Sequence, residues 1–314
     1  MRVIGNAELV QTLTAPIALK LAAIAAKLGG CPDRYFRPER QFHPVNPYGA
    51  KFGVMPLVLH DPALLGLKII NIFPGNAAAG KPTHVGVYQL YSGETGEPFA
   101  MMDANLLTGI RTAAMTAYAT HHIAPELTDQ IAIIGTGDQA AWHMRTLGAL
   151  FHPKELFVAG RSLAAARRLV DLVADELPDV QFHACSIEDA VNRASVICTV
   201  TSSAEPVVDR AWLSHRRHIN AIGAHSADCA ELDPEIFEGV NCHTDDPDAF
   251  PTHCAEYLRL RASGKSGPKR ILGIWEPRAS PSLATEITIY KSFGTAAQDI
   301  VFAAYAAGVR VTAE

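Results

Sequence analysis

Gln130-Ile131-Ala132-Ile133-Ile134-Gly135-Thr136-Gly137-Asp138-Gln139-Ala140 is the stretch whose reading decides the fold. A short apolar run turns through two glycines one residue apart. It continues into Ala141-Trp142-His143-Met144-Arg145-Thr146-Leu147, where the apolar spacing is helical. Buried strand, tight glycine turn and helix N-terminus form the order in which an α/β sheet offers backbone amides to a pyrophosphate. Gly135 permits the turn, Gly137 lets the main chain approach a phosphate closely, and Ala140 is the third small position, where helix and strand pack. A G-x-G-x-x-A pattern alone carries little weight, because glycine turns follow strands in many α/β proteins.

The surroundings strengthen it. From residue 128 to about 273, strand-like and helical segments alternate as in a parallel α/β sheet. Strands are expected at 131–134, 155–158, 180–183, 195–199, 218–222 and 240–243, with helices at 139–150, 163–176 and 189–193. The end of the second strand informs cofactor choice, since an NAD site places Asp or Glu there for the ribose 2′-hydroxyl. Here it reads Ala159-Gly160-Arg161-Ser162. An arginine and a hydroxyl suit a 2′-phosphate, so NADPH is expected in preference to NADH. Thr199-Val200-Thr201 closes the fourth strand, where an open sheet lines its ligand crevice.

The chain has 314 residues, 48% of them hydrophobic, enough for a sizeable core and for two domains. A formal net charge of −5 gives no basic field for nucleic acid. The six cysteines form no C-x-x-C pair or zinc spacing and read as reduced thiols. Residues 1–6 lack a signal-peptide core. The Ala/Leu-rich run at 15–28 holds Pro16, Lys20 and Lys27 and is too short and too charged to span a membrane. A soluble, cytoplasmic protein is expected. His121-His122, His215 with His218, and His243 with His253 have no partners at ligand spacing, so no metal site is expected. Gly264-Lys265-Ser266-Gly267 resembles the tail of a phosphate loop but lacks the earlier glycine and a preceding strand.

In the N-terminal third, a helix at 15–28 stops at Gly29-Gly30, and Arg34 and Arg37 read as solvated. Strands are expected at 52–59 and 67–73, and a hairpin at 85–91 and 98–103. Lys68 interrupts the second run. A lysine inside a buried strand needs a partner or a polar cleft, and a bound anion would supply one. Residues 103–117 open a long Ala-rich helix with Arg111 in about its first turn, an unfavourable place for a cation beside the positive end of the dipole. Arg111 is either salt-bridged or binds, with the helix N-terminus, a carboxylate or phosphate. A last Ala-rich helix, expected to be amphipathic, covers 295–307.

Asp103-Ala104-Asn105-Leu106-Leu107-Thr108-Gly109-Ile110-Arg111-Thr112-Ala113-Ala114 is the most specific of several segments that together resemble the ornithine cyclodeaminase/μ-crystallin family. The others are Leu67-Lys68 followed by Phe73-Pro74-Gly75-Asn76, the glycine turn with Gln139-Ala140, and Ile289-Tyr290-Lys291-Ser292-Phe293-Gly294. The resemblance implies an α/β homodimer. A Rossmann dinucleotide-binding domain (121–287) is inserted into an α+β substrate-binding and dimerisation domain (1–120 with 288–314). It implies that Arg40, Lys68 and Arg111 hold a substrate carboxylate. It also implies that Thr83, His84, Arg111, Thr112, Gly135, Thr136, Gly137, Asp138, Gln139, Ala140, Gly160, Arg161, Ser162, Thr199, Val200 and Thr201 line the cofactor.

One segment departs. Ornithine cyclodeaminases carry an aspartate beside the reacting amine, where Asn220-Ala221-Ile222-Gly223-Ala224-His225-Ser226-Ala227-Asp228 has His225, and Asp228 lies three residues on. The loss of that anion shifts the expected reaction to NADPH-dependent reduction of a cyclic ketimine acid, Δ1-pyrroline-2-carboxylate or Δ1-piperideine-2-carboxylate, to L-proline or L-pipecolate. Lys68 and His225 are the expected proton-handling residues, since an iminium accepts hydride better than an imine. Ornithine cyclodeamination, alanine-dehydrogenase-like deamination and a μ-crystallin-like NADPH/small-acid binding protein are the alternatives.

Overall fold

A computed structural model describes residues 1–213, 216–277 and 286–312. The chain divides into Met1–Arg111 with Thr295–Glu314, and Thr112–Gly294. The boundaries expected from sequence, 120/121 and 287/288, shift to 111/112 and 294/295.

In the first unit, β1 (Arg2–Ile4), α1 (Asn6–Thr12) and α2 (Ala15–Gly29) precede a mainly antiparallel sheet. Its strands are β2 (Tyr35–Phe36), β3 (Gln41–Val45), β4 (Ala50–Leu59), β5 (Leu64–Ile72), β6 (His84–Ser92) and β7 (Pro98–Asp103). They run in the order β1-β7-β6-β5-β4-β2, β3 pairs β4, and β1 lies parallel to β7. Helix α3 (Ala104–Ile123) follows. Along β5 the buried residues alternate, Leu64, Gly66, Lys68, Ile70, as one covered face requires. Lys68 therefore points into the core, opposite Met55 on β4 and Tyr88 on β6.

The cover is α9 (Ala296–Ala306), which packs on α2 and on β4, β5 and β6. With partners on several sides it is buried along nearly its whole circumference. The expected amphipathic helix is thus corrected to a core helix, and its small alanines permit that close packing. Burial of Ile300 and Phe302 contributes about 1.5–3 kcal/mol each.

The second unit holds β8 (Gln130–Ile134), α4 (Asp138–Phe151), β9 (Glu155–Ala159), α5 (Leu163–Val173), β10 (Gln181–Ala184), α6 (Ile187–Arg193), β11 (Val196–Thr199) and β12 (Arg217–Ala221). It continues with β13 (Asn241–Thr244), α7 (Phe250–His253), α8 (Ala255–Ala262), β14 (Arg270–Gly273) and β15 (Ile287–Lys291). The sheet is parallel throughout, in the order β10-β9-β8-β11-β12-β15-β13-β14. Its inner strands β8 and β11 are mostly apolar and buried almost end to end, as a sheet covered on both faces must be. The chain order reverses between β8 and β11, the switch point at which open α/β sheets bind ligands beyond their carboxyl ends.

The expected helix at 163–176 ends at Val173 and tightens into a 3-10 turn at Ala174–Glu176. β15, the last strand among the described residues, lies between β12 and β13, and this pairing moves the second boundary to 294/295.

Candidate active site

At the switch point, Gly135 has φ +139°, a conformation that L side chains rarely adopt. Its N–H donates to Ala159 O (2.8 Å), and a Cβ there would stand 2.8 Å from Val200 O. Gly135→Ala is therefore expected to cost about 1–3 kcal/mol in backbone strain alone and to weaken dinucleotide binding at least tenfold. Urea unfolding and a cofactor titration check this. Unchanged values in both would remove the turn from the site.

Gly137 caps α4 with no side chain, and a Cβ added to it would meet open space. The first-turn amides of α4 are thus presented as an anion requires. At the head of the same helix Gln139 Oε1 is buried with no hydrogen-bond partner, and Ala140 is fully buried. Thr136 packs on Gly160, Asp138 lies exposed in the first turn, and Arg161 stands exposed at the end of β9. Ser162 Oγ accepts from Ala165 N (3.4 Å), capping α5 while keeping its own hydrogen to donate. These features fit a nicotinamide dinucleotide.

Thr199 is fully buried, and its hydroxyl donates inward to Glu231 (2.9 Å). Val200, tied to Ile134 O (2.9 Å), and Thr201 are left to form the crevice edge. His225 is exposed beyond β12, with Nδ1 3.1 Å from Gly223 O. A carbonyl only accepts, so Nδ1 carries the hydrogen and Nε2 is the nitrogen that gains or loses a proton.

In the first unit the expected cations come together. Lys68 Nζ donates to Asp299 Oδ2 (3.2 Å), and Arg111 Nε donates to Asp299 Oδ1 (2.9 Å). Arg111 Nη1 donates to Gln298 Oε1 (2.8 Å). Arg111 is the eighth residue of α3, about two turns in rather than in the first, so its anionic partner is Asp299 and not the helix end. Lys68, Arg111 and Asp299 are 5%, 6% and 2% exposed, which makes this a buried cluster with two cations and one acid.

Burial lowers the Lys68 pKa, opposed by Asp299 and assisted by Arg111 and by nearby Arg40. Burial opposes ionisation of Asp299 too, but Lys68 and Arg111 outweigh it and hold its carboxyl below the ordinary value. Tyr88, opposite Lys68, has a buried hydroxyl without a hydrogen-bond partner. Thr83 immediately precedes β6 and His84 begins it, with Thr83 Oγ1 3.0 Å from His84 Nδ1, and Thr112 is buried in α3. Arg34, expected to be solvated, donates to Thr312 O and Asp61 O.

Asp299 and Glu231 escaped the sequence reading. Asp299 is an acid in a nearly polar-free helix, the same kind of anomaly that exposed Lys68. Glu231 gives no such signal, since it lies in a loop whose burial only the fold creates. His215 lies outside the described residues.

Residues 22–308 match the model of the ornithine cyclodeaminase/mu-crystallin family. The chain is 30% identical over 283 residues to the ketimine reductase mu-crystallin of Rattus norvegicus, covering 90% of this chain and 88% of the relative. It is 33% identical over 246 residues to the alanine dehydrogenase of Archaeoglobus fulgidus, covering 76% and 74%. Among solved structures, the Δ1-pyrroline-2-carboxylate reductase of Thermococcus litoralis, in complex with NADH and L-proline, superposes with a TM-score of 0.86. It shares 23% identity with this chain and covers 98% of it and 97% of its own, a likeness of fold.

Proposed function

The chain belongs to the ornithine cyclodeaminase/mu-crystallin family, and from that premise we propose that it is an NADPH-dependent reductase of a cyclic ketimine acid, Δ1-pyrroline-2-carboxylate or its six-membered homologue. The observation that carries the reading is the Lys68–Asp299–Arg111 cluster. Two buried cations share one carboxylate, which leaves one unit of positive charge away from water. A buried surplus charge is unfavourable unless an anion answers it. The carboxylate of an imino acid is such an anion, and Asp299 holds both cations in place to receive it while Arg40 adds to the field.

The reduced nicotinamide, when bound, supplies the hydride to the imine carbon. The chain's own task is to fix the carboxylate and manage one proton, so that imine, hydride and proton give the amine. Lys68 fits the proton step, because burial and Arg111 weaken its hold on its proton. His225 Nε2 is the second candidate. The turn at Gly135 and the α4 N-terminus would take the pyrophosphate, with Arg161 and Ser162 on the 2′-phosphate. A homodimer is the proposed assembly. Among the described residues no single helix is long and apolar enough to cross a membrane.

Purified protein is expected to oxidise NADPH with Δ1-pyrroline-2-carboxylate and to release L-proline. Ammonia released from ornithine without imine reduction would reverse the reading. Reductive amination of pyruvate, tested in parallel, separates the activity named for the archaeal relative. Lys68→Ala and Arg111→Ala are expected to raise the imine KM strongly or abolish turnover. Arg161→Ala is expected to raise the NADPH KM about tenfold or more while leaving NADH nearly unchanged, the loss of one charge-assisted contact. Equal effects on both cofactors would remove Arg161 from the 2′-phosphate.

A further inference from the structure

A second group of buried charges lies at the carboxyl ends of β11, β12 and β15. Glu231, Glu256 and Lys291 are each fully buried. Glu231 Oε2 accepts from Thr199 Oγ1 (2.9 Å), Gly223 N (2.8 Å) and Ala224 N (3.1 Å), and Oε1 accepts from Thr201 N (2.6 Å). Thr199 ends β11 and Thr201 follows it, and Gly223 and Ala224 follow β12. Main-chain bonds from Ile222 N and Gly223 N to Thr199 O (2.9 and 3.2 Å) carry the pairing just past the strands, and the carboxylate extends the tie to Thr201 and Ala224.

The carboxylate is itself held. The Glu231 N–H donates to Glu256 Oε1 (3.0 Å), and its carbonyl accepts from Val207 N (2.8 Å) and Val208 N (3.1 Å). Lys291 Nζ, from β15, donates to both oxygens of Glu256 (3.2 and 3.1 Å). A Cβ at Gly223 would overlap Thr201 O and stand 2.5 Å from Glu231 Oε1, so the two loops and the acid are in direct contact. On one side Val200 abuts Gly135 of the glycine turn. On the other, His225 follows Ala224 directly.

We propose that Glu231 is a positioning residue that locks the loops after β11 and β12 together, so that Val200-Thr201 beside the glycine turn and His225 are preformed as one crevice edge. The function assigned to that edge rests on the dinucleotide reading above; the locking does not. A fully satisfied buried network of this kind selects a single arrangement. Glutamine in its place must turn an NH2 towards either Thr201 N or the donors of Gly223 and Ala224, and one loop is released.

The test compares wild type, Glu231→Gln and Glu231→Asp, each as the full chain. Amide exchange of Thr201 or Ala224, read without cofactor, is expected to accelerate at least tenfold in Glu231→Gln while β8 and β9 stay protected. With NADPH and Δ1-pyrroline-2-carboxylate, kcat is expected to fall about 100-fold, the scale of an ångström's misplacement. The imine KM, set by Lys68 and Arg111, is expected to stay within about twofold.

Glu231→Asp, whose carboxylate sits one methylene further back, is expected to lie between the two. A purely structural acid would lower the folded fraction and leave kcat per folded molecule intact; that result, or unchanged exchange at both Thr201 and Ala224, overturns the proposal. If Glu231→Gln does not fold, Glu231→Asp decides, with wild-type exchange and kcat overturning it. If the wild type itself neither binds dinucleotide nor turns over imine, the functional reading fails while the exchange measurement still decides the locking.

Discussion

Asp299→Ala is expected to destabilise the protein by about 3–5 kcal/mol and to abolish turnover. The acid lies in the first turn of α9, whose N-terminus favours negative charge, and both of its oxygens receive donors from elements remote in sequence. Removing it leaves Lys68 and Arg111 buried with no carboxylate between them. Such charges cannot be left uncompensated in an interior where even the paired state is strained by lost hydration. Asp299→Asn should cost nearly as much, since the amide keeps the shape but loses the charge and turns donors towards donors.

Lys68→Met in the Asp299→Ala background should recover part of the loss, because one of the two orphaned cations disappears. Urea unfolding with m-values checks the series. A cost below about 1 kcal/mol for Asp299→Ala, the range of exposed ion pairs, would show that the cluster is hydrated and that its surplus charge has no bearing on ligand binding.

The second large effect is acid sensitivity confined to the parallel-sheet unit. Burial pushes the His143 and His243 pKa values down to about 4 and that of His218 to about 3, against an ordinary 6.5. The hydrogen bonds of His143 and His218 favour the protonated ring, but burial outweighs them. His143 lies between Gln139 O (2.7 Å) and Thr116 Oγ1 (2.9 Å). His218 lies between Thr288 Oγ1 (3.0 Å) and Asn220 Oδ1 (3.1 Å), and His243 meets the His122 ring edge-on.

These are depressed values, so below pH 6.5 the unfolded chain binds protons that the folded chain refuses, and stability falls as pH falls towards about 4. Each group contributes up to about 1.4 kcal/mol per pH unit in that window, so the three together steepen the fall to about 4 kcal/mol per unit. Asp299 acts in a lower window. Its folded pKa lies below 3.8, so its contribution is complete above that value and is lost only as pH falls through the folded one.

Chemical denaturation followed between pH 7 and 4 should show the parallel-sheet unit failing first. His218→Gln is expected to flatten the slope by about a third. A stability flat from pH 7 to 4 would contradict the neutral, buried assignment.

Local chemistry was legible in the sequence, and long-range pairing was not. The glycine turn at Gly135 and Gly137 declares itself because strand, turn and helix are contiguous. Lys68 declares itself because a charge inside an apolar strand breaks a local rule. Asp299 breaks the same rule in α9, but an Ala-rich helix with a few polar residues also reads as two-faced, and only its several packed neighbours make it a core helix. Glu231 had no local signature at all. Its role depends on donors from Thr199 to Ala224 converging in space. The place of β15 was hidden for a related reason, since parallel strands pair across long connections and an Ile-Thr-Ile-Tyr run does not name its neighbour.

That placement has a consequence for how the chain acquires its structure. Among the described residues β15 is the last strand in sequence, yet it sits between β12 and β13, and α9, which follows it, completes the core of the other unit. Neither half can finish folding while the polypeptide is still being synthesised from its N-terminus. Until Ile287 and the residues after it emerge, β12 and β13 present unpaired edges to one another's would-be neighbour, and the Lys68–Arg111 pair waits for its acid. A chain truncated before β15 is expected to be insoluble, with both units incomplete at once.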